Sequence, residues 1–290
     1  MIVLENDNLI VEVKRLGAEL TRIYSKKDKR EILWCGDTIY WGRHSPILFP
    51  IVGRLKDNKA IIENRIYEMN QHGFARDMEF EIIEIDKDSV TYVLSSNDKT
   101  KSFYPYEFKL VVRYVLKDSF VKVEWKVINK DNKEIYFSIG GHPAFNLELS
   151  KNQKIENYSL KFKSRGKVKK IQLNGAYYEN VIEIDDIKEL NLTTKIFKDD
   201  ALIYTNIDEV SLINNLNKEI LKVELDNFPL VGIWSPYYRE SNKIAPFICI
   251  EPWYGLADSI DSDHIYNKKM FMNKLNIGEE FFASYKICIK

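Results

Sequence analysis

The sequence is poor in cysteine and carries no excess charge of either sign. Its three cysteines, Cys35, Cys249 and Cys288, cannot all pair within one chain, and no CxxC spacing is present. This pattern argues against a disulfide framework or a cysteine-based zinc site and favours a reducing compartment. Lys plus Arg and Asp plus Glu both number 43, so the net charge is zero. A dominant nucleic-acid or anionic-membrane partner would need a basic excess.

Export and membrane signals are also missing from the pattern. The N-terminal stretch 1–15 has an acidic residue by position 5 and lacks the basic and apolar regions of a signal peptide. No apolar run approaches the roughly 18 residues that suggest a membrane span. We therefore predict a cytoplasmic protein with no membrane partner. Because no Pro/Gly/Ser-rich linker interrupts the 290 residues, we expect a single domain over residues 1–290.

Helical periodicity is scarce, and the apolar residues mostly recur with a period of two. Val121 to Val127 alternates apolar and polar side chains without exception, and Phe108 to Leu116 precedes it across a short polar turn. Glu79 to Ile85 and Val90 to Leu94 flank a second turn in the same way. Such pairs are typical of β-hairpins with one buried face. The chain is therefore predicted to be all-β, a large antiparallel β-sandwich.

Several common catalytic signatures are absent. We find no GxGxxG after a predicted strand and no GxxxxGK[ST], so a nucleotide-phosphate loop is unsupported. GxSxG and HExxH are also missing, which argues against serine hydrolases of that type and against zinc peptidases.

Four segments depart from the background of strands and turns. They are the stretches 45–55, 70–77, 138–146 and 249–258. The first combines two prolines with a Gly-Arg pair, and the second holds His72 and Arg76 in a short polar loop. Loops on a rigid β scaffold often carry function, although a core-packing loop and a structural histidine explain the same residues.

The third and fourth segments contain the strongest candidates for chemistry. His142 follows two glycines and precedes a proline, so its backbone is tightly set. Glu251 follows the apolar run 248–250, and carboxylates are rarely buried unless they are paired or functional. Trp253, two residues later, offers a ring on which a sugar can stack. A structural histidine at a Gly-Gly bulge and a buried salt bridge remain the alternatives.

A metal site is the less favoured interpretation of these residues. His72, His142 and Glu251 could form a two-histidine, one-carboxylate site. However, no two of them lie at short spacing in the sequence, and all three belong to separate segments. We therefore expect no catalytic metal at these residues.

Together the four segments resemble the aldose 1-epimerase (galactose mutarotase) family, and most nearly its shorter bacterial LacX-like branch. The resemblance runs from Ile10 almost to the C terminus and depends on four motifs in order. These are FPIVGR at 49–54, QHGFARD at 71–77, GHPAFN at 141–146 and CIEPWYG at 249–255. It implies a β-supersandwich, one large all-β domain that binds sugar in a cleft on a sheet face.

The resemblance also implies roles for individual residues. Glu251 matches the family's general base and His142 its general acid, whereas Arg54 and His72 match positions that bind sugar oxygens. The family's sugar-binding aspartate is best matched by Asp200, and Asp208 is a poorer match. The segment before His142 is shorter than the Asn-Xaa-Thr-Asn-His of classical galactose mutarotases.

The implied activity is the interconversion of the α and β anomers of a hexose through the open-chain aldehyde. No cofactor is expected, because the reaction involves neither redox change nor group transfer. If Glu251 is ionised, it should raise the pKa of His142 and keep that acid protonated.

Three alternatives stay open. One is a mutarotase for hexose 6-phosphates, for which Arg76 would help to bind phosphate. A glycoside hydrolase is a second, and it would normally need two carboxylates. The third is a non-catalytic carbohydrate-binding or sensor protein. The sequence names neither the sugar nor the oligomeric state.

Overall fold

The computed structural model describes residues 1–149 and 153–290 and is built mainly from antiparallel strands. Up to residue 149 the strands are β1 (Ile2–Glu5), β2 (Leu9–Val13), β3 (Leu20–Ser25), β4 (Arg30–Glu31), β5 (Ile47–Leu48), β6 (Lys59–Ile62), β7 (Arg65–Glu68), β8 (Glu81–Ile85), β9 (Ser89–Ser95), β10 (Phe108–Lys117), β11 (Phe120–Asn129), β12 (Ile135–Phe137), β13 (Ile139–Gly141) and β14 (Ala144–Asn146).

From residue 153 onwards the structure adds thirteen further strands. They are β15 (Tyr158–Ser164), β16 (Val168–Asn174), β17 (Tyr177–Ile184), β18 (Glu189–Asn191), β19 (Leu202–Thr205), β20 (Ile207–Asn214), β21 (Glu219–Leu225), β22 (Leu230–Trp234), β23 (Tyr237–Tyr238), β24 (Lys243–Ile244), β25 (Phe247–Tyr254), β26 (Asn273–Leu275) and β27 (Glu280–Ile289).

Helix is confined to short turns in the described residues. The α-helix α1 (Asp98–Lys101) is one turn long, and Asn97 caps it by accepting a hydrogen bond from the backbone N–H of Thr100 at 3.0 Å. The 3₁₀ turns are Lys56–Asn58, Ala75–Asp77, Ile155–Asn157 and Tyr266–Lys268.

Two large antiparallel sheets dominate the architecture. One has nine strands in the order β18-β15-β20-β21-β27-β11-β10-β9-β8. The other has eight: β17-β16-β19-β22-β25-β13-β5 form a continuous path, and β14 pairs with β25 beside it. A four-stranded sheet, β1-β2-β3-β4, and three two-stranded ribbons complete the fold. The all-β class and the supersandwich implied by the resemblance are confirmed.

One continuous apolar cluster joins the two large sheets. In β10 and β11 every second side chain is buried, as the period of two predicts. Val112 and Val123 from these strands share the cluster with Ile248 and Ile250 of the eight-stranded sheet. Burying one such side chain contributes about 1.5–3 kcal/mol, so the cluster fixes which face of each strand points inwards. The opposite face of the eight-stranded sheet is not part of this cluster and carries the candidate active site.

Other sequence-based predictions have mixed outcomes. The hairpins predicted around 117–119 and 86–89 are confirmed as β10–β11 and β8–β9. All three cysteines are free, with Cys35 exposed and Cys249 buried. In the residues that the structure describes, no helix is long and apolar enough to cross a membrane. The single-domain organisation and the cytoplasmic location stay predictions.

Candidate active site

Strand β25 divides its side chains between the apolar core and a surface cavity. Ile248 and Ile250 join the core cluster. Cys249, Glu251 and Trp253 alternate with them and therefore face the other side of the sheet. The strand runs between β22 and β13, so hydrogen-bonded neighbours hold it on both sides.

Glu251 does not end the strand after the apolar run 248–250 but lies within it. The pairing continues past Pro252 to Tyr254, and Glu251 faces Gly232 of β22 directly. A carboxyl in the middle of a central strand is held by backbone pairing and has little freedom to move. This position suits a group that must meet a substrate in one fixed geometry.

Two glycines make room for the ring of Trp253. A Cβ atom on Gly232 would lie 2.7 Å from Cζ2 of the Trp253 indole, and one on Gly140 would lie 2.7 Å from Cδ1. These glycines belong to the two strands that flank β25, opposite Glu251 and Trp253 respectively. The absence of side chains there lets the indole lie across the sheet and form part of the cavity floor.

His142 reaches the same face from the end of β13. Its backbone N–H donates to the carbonyl of Pro46 at 3.1 Å. Its Nε2 lies 3.3 Å from Oε2 of Glu251, and the two side chains are only 8% and 1% exposed. Within the described chain, His142 Nδ1 and Glu251 Oε2 have no partner of hydrogen-bond geometry. Buried polar atoms without partners are unusual and are common where a ligand supplies the missing contacts.

Burial decides where the proton of this pair lies. Desolvation lowers the pKa of the His142 imidazole to about 3 and raises the pKa of Glu251 well above its ordinary value of 4.5. The nearby charge of Asp200 raises the Glu251 pKa further, whereas the Trp253 indole lowers it. When the free pair holds one proton, that proton therefore lies on the carboxyl and the imidazole is neutral. The expected rise in the pKa of His142 requires an ionised Glu251. Burial favours the protonated carboxyl instead, and desolvation lowers the imidazole pKa.

His72 faces His142 from the loop after β7. The two rings meet edge to face, with centroids 5.5 Å apart. His72 has φ 68°, and its Nδ1 accepts a hydrogen bond from the N–H of Gly53 at 3.1 Å. Burial, together with the neighbouring His142 and the positive charge of Arg76, holds the pKa of His72 well below 6.5. The neutral ring then carries its proton on Nε2 and can donate it to a bound oxygen.

Arginines surround this side of the cavity, although Arg54 is not part of its lining. Arg76 lines the cavity and donates to the carbonyl of Gln71 at 2.7 Å. Burial and the neighbouring charge of Arg43 lower the pKa of Arg76 to about 10. Arg43 also lines the cavity and pairs with Asp77 at 2.9 Å. Arg54 is exposed beside them and donates to Oε1 of Gln71 at 3.4 Å.

Asp200, the preferred sequence match for a sugar-binding aspartate, also lines the cavity. It has φ 78° and accepts a hydrogen bond from the N–H of Ala201 at 2.8 Å. Burial raises its pKa, and the Ala201 N–H, Trp234 and Arg54 counteract that shift. Asp208 lies elsewhere, on β20 of the nine-stranded sheet, where it pairs with Arg165 at 2.7 Å.

Two tryptophans that sequence reasoning did not select pack on His142. Trp41 stacks on the imidazole with ring centroids 4.7 Å apart and an interplanar angle of 29°. Trp234 meets the same ring edge to face at 5.6 Å. Trp41 and Arg43 lie just before the segment 45–55, so their proximity to it was the available signal. Trp234 lies outside all four motifs, and its pairing with Cys249 on β25 brings it to the site.

These residues enclose a cavity of about 440 Å³, which is within the usual range for small-molecule sites. The lining residues are Trp41, Arg43, Gly53, Gln71, His72, Arg76, His142, Leu173, Ala176, Asp200, Ala201, Ile203, Trp234, Glu251, Trp253, Leu256 and Ala257. A buried acid–base pair, flat aromatic surfaces and convergent polar groups define a class of β-sandwich protein with a site suited to a polyhydroxylated ligand.

Comparison with known proteins shows the family to which this chain belongs. The model of the aldose 1-epimerase family matches residues 1–270, and the chain belongs to that family. It is 34% identical to the chromosomal protein LacX of Lactococcus lactis subsp. lactis, and the alignment covers 99% of both chains. The plasmid-encoded LacX of the same organism is equally similar.

Solved structures support the same assignment. A galactose mutarotase related enzyme from Lactobacillus acidophilus is 34% identical and superposes with a TM-score of 0.94 over 100% of this chain and 97% of that one. A galactose mutarotase-like protein from Lactobacillus casei is 29% identical, with a TM-score of 0.93 and full coverage of both chains.

The packing of Trp253 on Gly232 yields a testable prediction. We expect Gly232→Ala to push the indole out of its place, because the new methyl group would lie 2.7 Å from the ring. A displacement of about 1 Å in a substrate-positioning group can cost 10²-fold in rate, so kcat/KM should fall by about that factor. The control is Gly166→Ala, where no atom lies within 4 Å of the new methyl group. Equal turnover and equal tryptophan fluorescence in both variants would contradict this account of the cavity floor.

Proposed function

We propose that this protein is an aldose mutarotase that interconverts the α and β anomers of a hexose. The observation that supports this most directly is the contact between Glu251 and His142, whose Oε2 and Nε2 atoms lie 3.3 Å apart at the cavity. In a cyclic aldose, the hydroxyl oxygen O1 and the ring oxygen O5 are bonded to the same carbon. One group must remove a proton from O1 while another delivers a proton to O5, so the two groups must be adjacent.

In the proposed reaction, Glu251 is the base at O1 and His142 the acid at O5. The C1–O5 bond breaks, the C1–C2 bond rotates, and the ring closes on the opposite face of the aldehyde. The same two groups, with roles exchanged, complete the return step. The reaction requires no cofactor, because no electrons or groups leave the sugar.

The number of protons that the buried pair holds is consistent with this proposal. Ring opening needs one proton to give and one lone pair to accept, so the active pair holds a single proton. In the free protein the raised pKa of Glu251 and the lowered pKa of His142 place that proton on the carboxyl. The proposed roles use the other arrangement of the same proton, with the imidazole protonated. The two arrangements differ by an internal transfer over a 3.3 Å contact, so both belong to one macroscopic ionisation state.

The remaining polar groups are proposed to hold the sugar. His72 offers a neutral Nε2–H donor beside His142, and Asp200 offers a carboxylate acceptor in the same cavity. Arg76 adds a largely buried guanidinium, and Arg54 approaches from the rim. Trp253 provides the flat surface against which an apolar face of the sugar ring stacks.

A phosphorylated aldose is the second candidate substrate, and one observation favours it. Arg43 joins Arg76 in the cavity lining, and the exposed Arg54 lies beside them. Guanidinium groups bind phosphate oxygens through paired hydrogen bonds. The same acid–base chemistry would serve, because the phosphate takes no part in ring opening.

Replacing the proposed base tests the proposal. We expect Glu251→Gln to lose about 10²–10⁴-fold in kcat, the usual contribution of a positioned proton transfer. The amide keeps the shape of the side chain and cannot accept the proton from O1. The rate is read by polarimetry on a freshly dissolved anomer, and circular dichroism checks the fold. Glu81→Gln, an exposed glutamate at the sheet edge, is the matched control. If Glu251→Gln keeps more than about a tenth of wild-type kcat, Glu251 is not the base.

Replacing each of the two cavity histidines should affect different kinetic constants. We expect His142→Asn to lower kcat strongly, because it removes the proton that O5 needs. His72→Asn should mainly raise KM, by about 2- to 10-fold, as expected for one neutral hydrogen bond of roughly 0.5–1.5 kcal/mol. Asparagine tolerates the positive φ of position 72, so the backbone is preserved.

The control for this pair is His264→Asn, since His264 lies outside the cavity and also has positive φ. A near-normal kcat in His142→Asn together with a lost kcat in His72→Asn would show that the acid is assigned to the wrong histidine. Release of free sugar from a glycoside would instead support a hydrolase, for which Asp200 would be the second carboxylate.

A further inference from the structure

We propose that His142, Cys249 and Glu251 form an inhibitory binding site for a thiophilic divalent cation such as Zn²⁺. The inhibition rests on the proposed function, because it requires Glu251 and His142 to act in turnover. The binding itself does not depend on that function.

The geometry of the three side chains supports the site. Cys249 and Glu251 are two residues apart on β25 and face the same side of the sheet. His142 approaches from the end of the neighbouring strand. One ligand atom from each residue lies within 4.8 Å of the other two, and all three residues are buried. Tetrahedral zinc with bonds of about 2.0–2.3 Å places its ligands roughly 3.3–3.8 Å apart, so closure needs side-chain shifts of up to about 1.5 Å.

The donor set is one that zinc uses. Imidazole nitrogen, thiolate sulfur and carboxylate oxygen are its common protein ligands, and three protein ligands with one open position describe its exchangeable sites. Within the described residues, Glu251 Oε2 has no hydrogen-bond partner although the side chain is 1% exposed. A cation would give this buried oxygen the partner that the protein does not supply.

The cavity provides the route of entry. His142 and Glu251 line it, so a hydrated cation meets these two ligands first. Cys249 lies behind them, packed with Trp34, Ala144 and Phe247. A cation that binds all three would be fixed at the acid–base pair.

The binding step balances without any redox change. The thiol of Cys249 gives up its proton to form the sulfur–metal bond, and the pair of His142 and Glu251 gives up the one proton that it holds. Two protons pass to solvent, and the site gains the two positive charges of the cation. Because the lone pairs of both acid–base groups are then occupied, proton transfer to and from a sugar stops.

Cobalt gives a direct reading of the site, because thiolate-bound Co²⁺ shows a charge-transfer band in the near ultraviolet. We expect the wild-type protein to develop this band on titration with Co²⁺ and to lose it when Zn²⁺ is added. Cys249→Ala should weaken Co²⁺ binding by at least about tenfold, because one of three protein ligands is lost. Cys249→Ser serves as a second variant should the alanine variant fold poorly.

The matched control is Cys35→Ala, since Cys35 is an exposed free thiol at which adventitious metal would bind. It should leave the band and the zinc inhibition unchanged. Absence of the band in the wild-type protein, or its persistence in the Cys249 variants, would overturn the proposal. Loss of the band in Cys35→Ala would do the same.

Turnover gives the second readout. Zn²⁺ should inhibit wild-type mutarotation reversibly, with full recovery on adding a chelator, and the Cys249 variants should need at least about tenfold more Zn²⁺. Equal zinc inhibition of the wild-type protein and the Cys249 variants would overturn the inhibitory role. If the protein shows no mutarotase activity, the cobalt titration still decides the binding site, so failure of the site and failure of the proposed function can be told apart.

Discussion

The buried contact between Glu251 and His142 is the constraint on which the arrangement of the cavity depends. Two ionisable side chains lie 3.3 Å apart with almost no access to water. A charged carboxylate and a charged imidazolium would each lose hydration there, so the neutral forms are favoured and the pair holds one proton. The surrounding residues keep water away from this proton, and both side chains line the cavity. A group with a proton to give thus lies directly beside a group able to take one.

The sheet explains how such a costly pair is held in place. Because side chains alternate along β25, Ile248 and Ile250 point into the core while Glu251 and Trp253 face the cavity. Packing of the two isoleucines in the core therefore also fixes the positions of Glu251 and Trp253. Gly232 has no side chain, which leaves room on the neighbouring strand for the indole of Trp253. The tryptophans that pack on His142 come from a loop and from an adjacent strand, so several parts of the chain contribute to one rigid wall. Cys249 is carried to the same face by the same alternation, which is why a third metal-binding atom lies behind the pair.

Much of this could be predicted from the sequence, and the failures have physical causes. Strict alternation in β10 and β11 identifies the strands, because one face of each is buried in the core. Glu251 and His142 stand out as polar residues in apolar or glycine-rich surroundings. Trp234 gives no such signal, because its place in the site depends on a strand pairing that one sequence does not encode locally. The lowered pKa of His142 could not be predicted, because the pairing of charges can be read from residue types, whereas the depth of burial cannot. Arg54 occupies a motif position, yet its side chain is exposed at the rim.

The central claim is tested most directly by polarimetry of freshly dissolved α-anomers of glucose, galactose, xylose and glucose 6-phosphate across a range of pH, with the spontaneous rates subtracted. The account predicts that the protein accelerates mutarotation of at least one of these sugars, with a bell-shaped pH dependence of kcat/KM. Activity should fall at low pH, where the pair holds two protons and has no base, and at high pH, where it holds none and has no acid. Because burial lowers the pKa of His142 to about 3, the acid limb should lie well below pH 6.5. No acceleration of any of the four sugars at any pH would contradict the account.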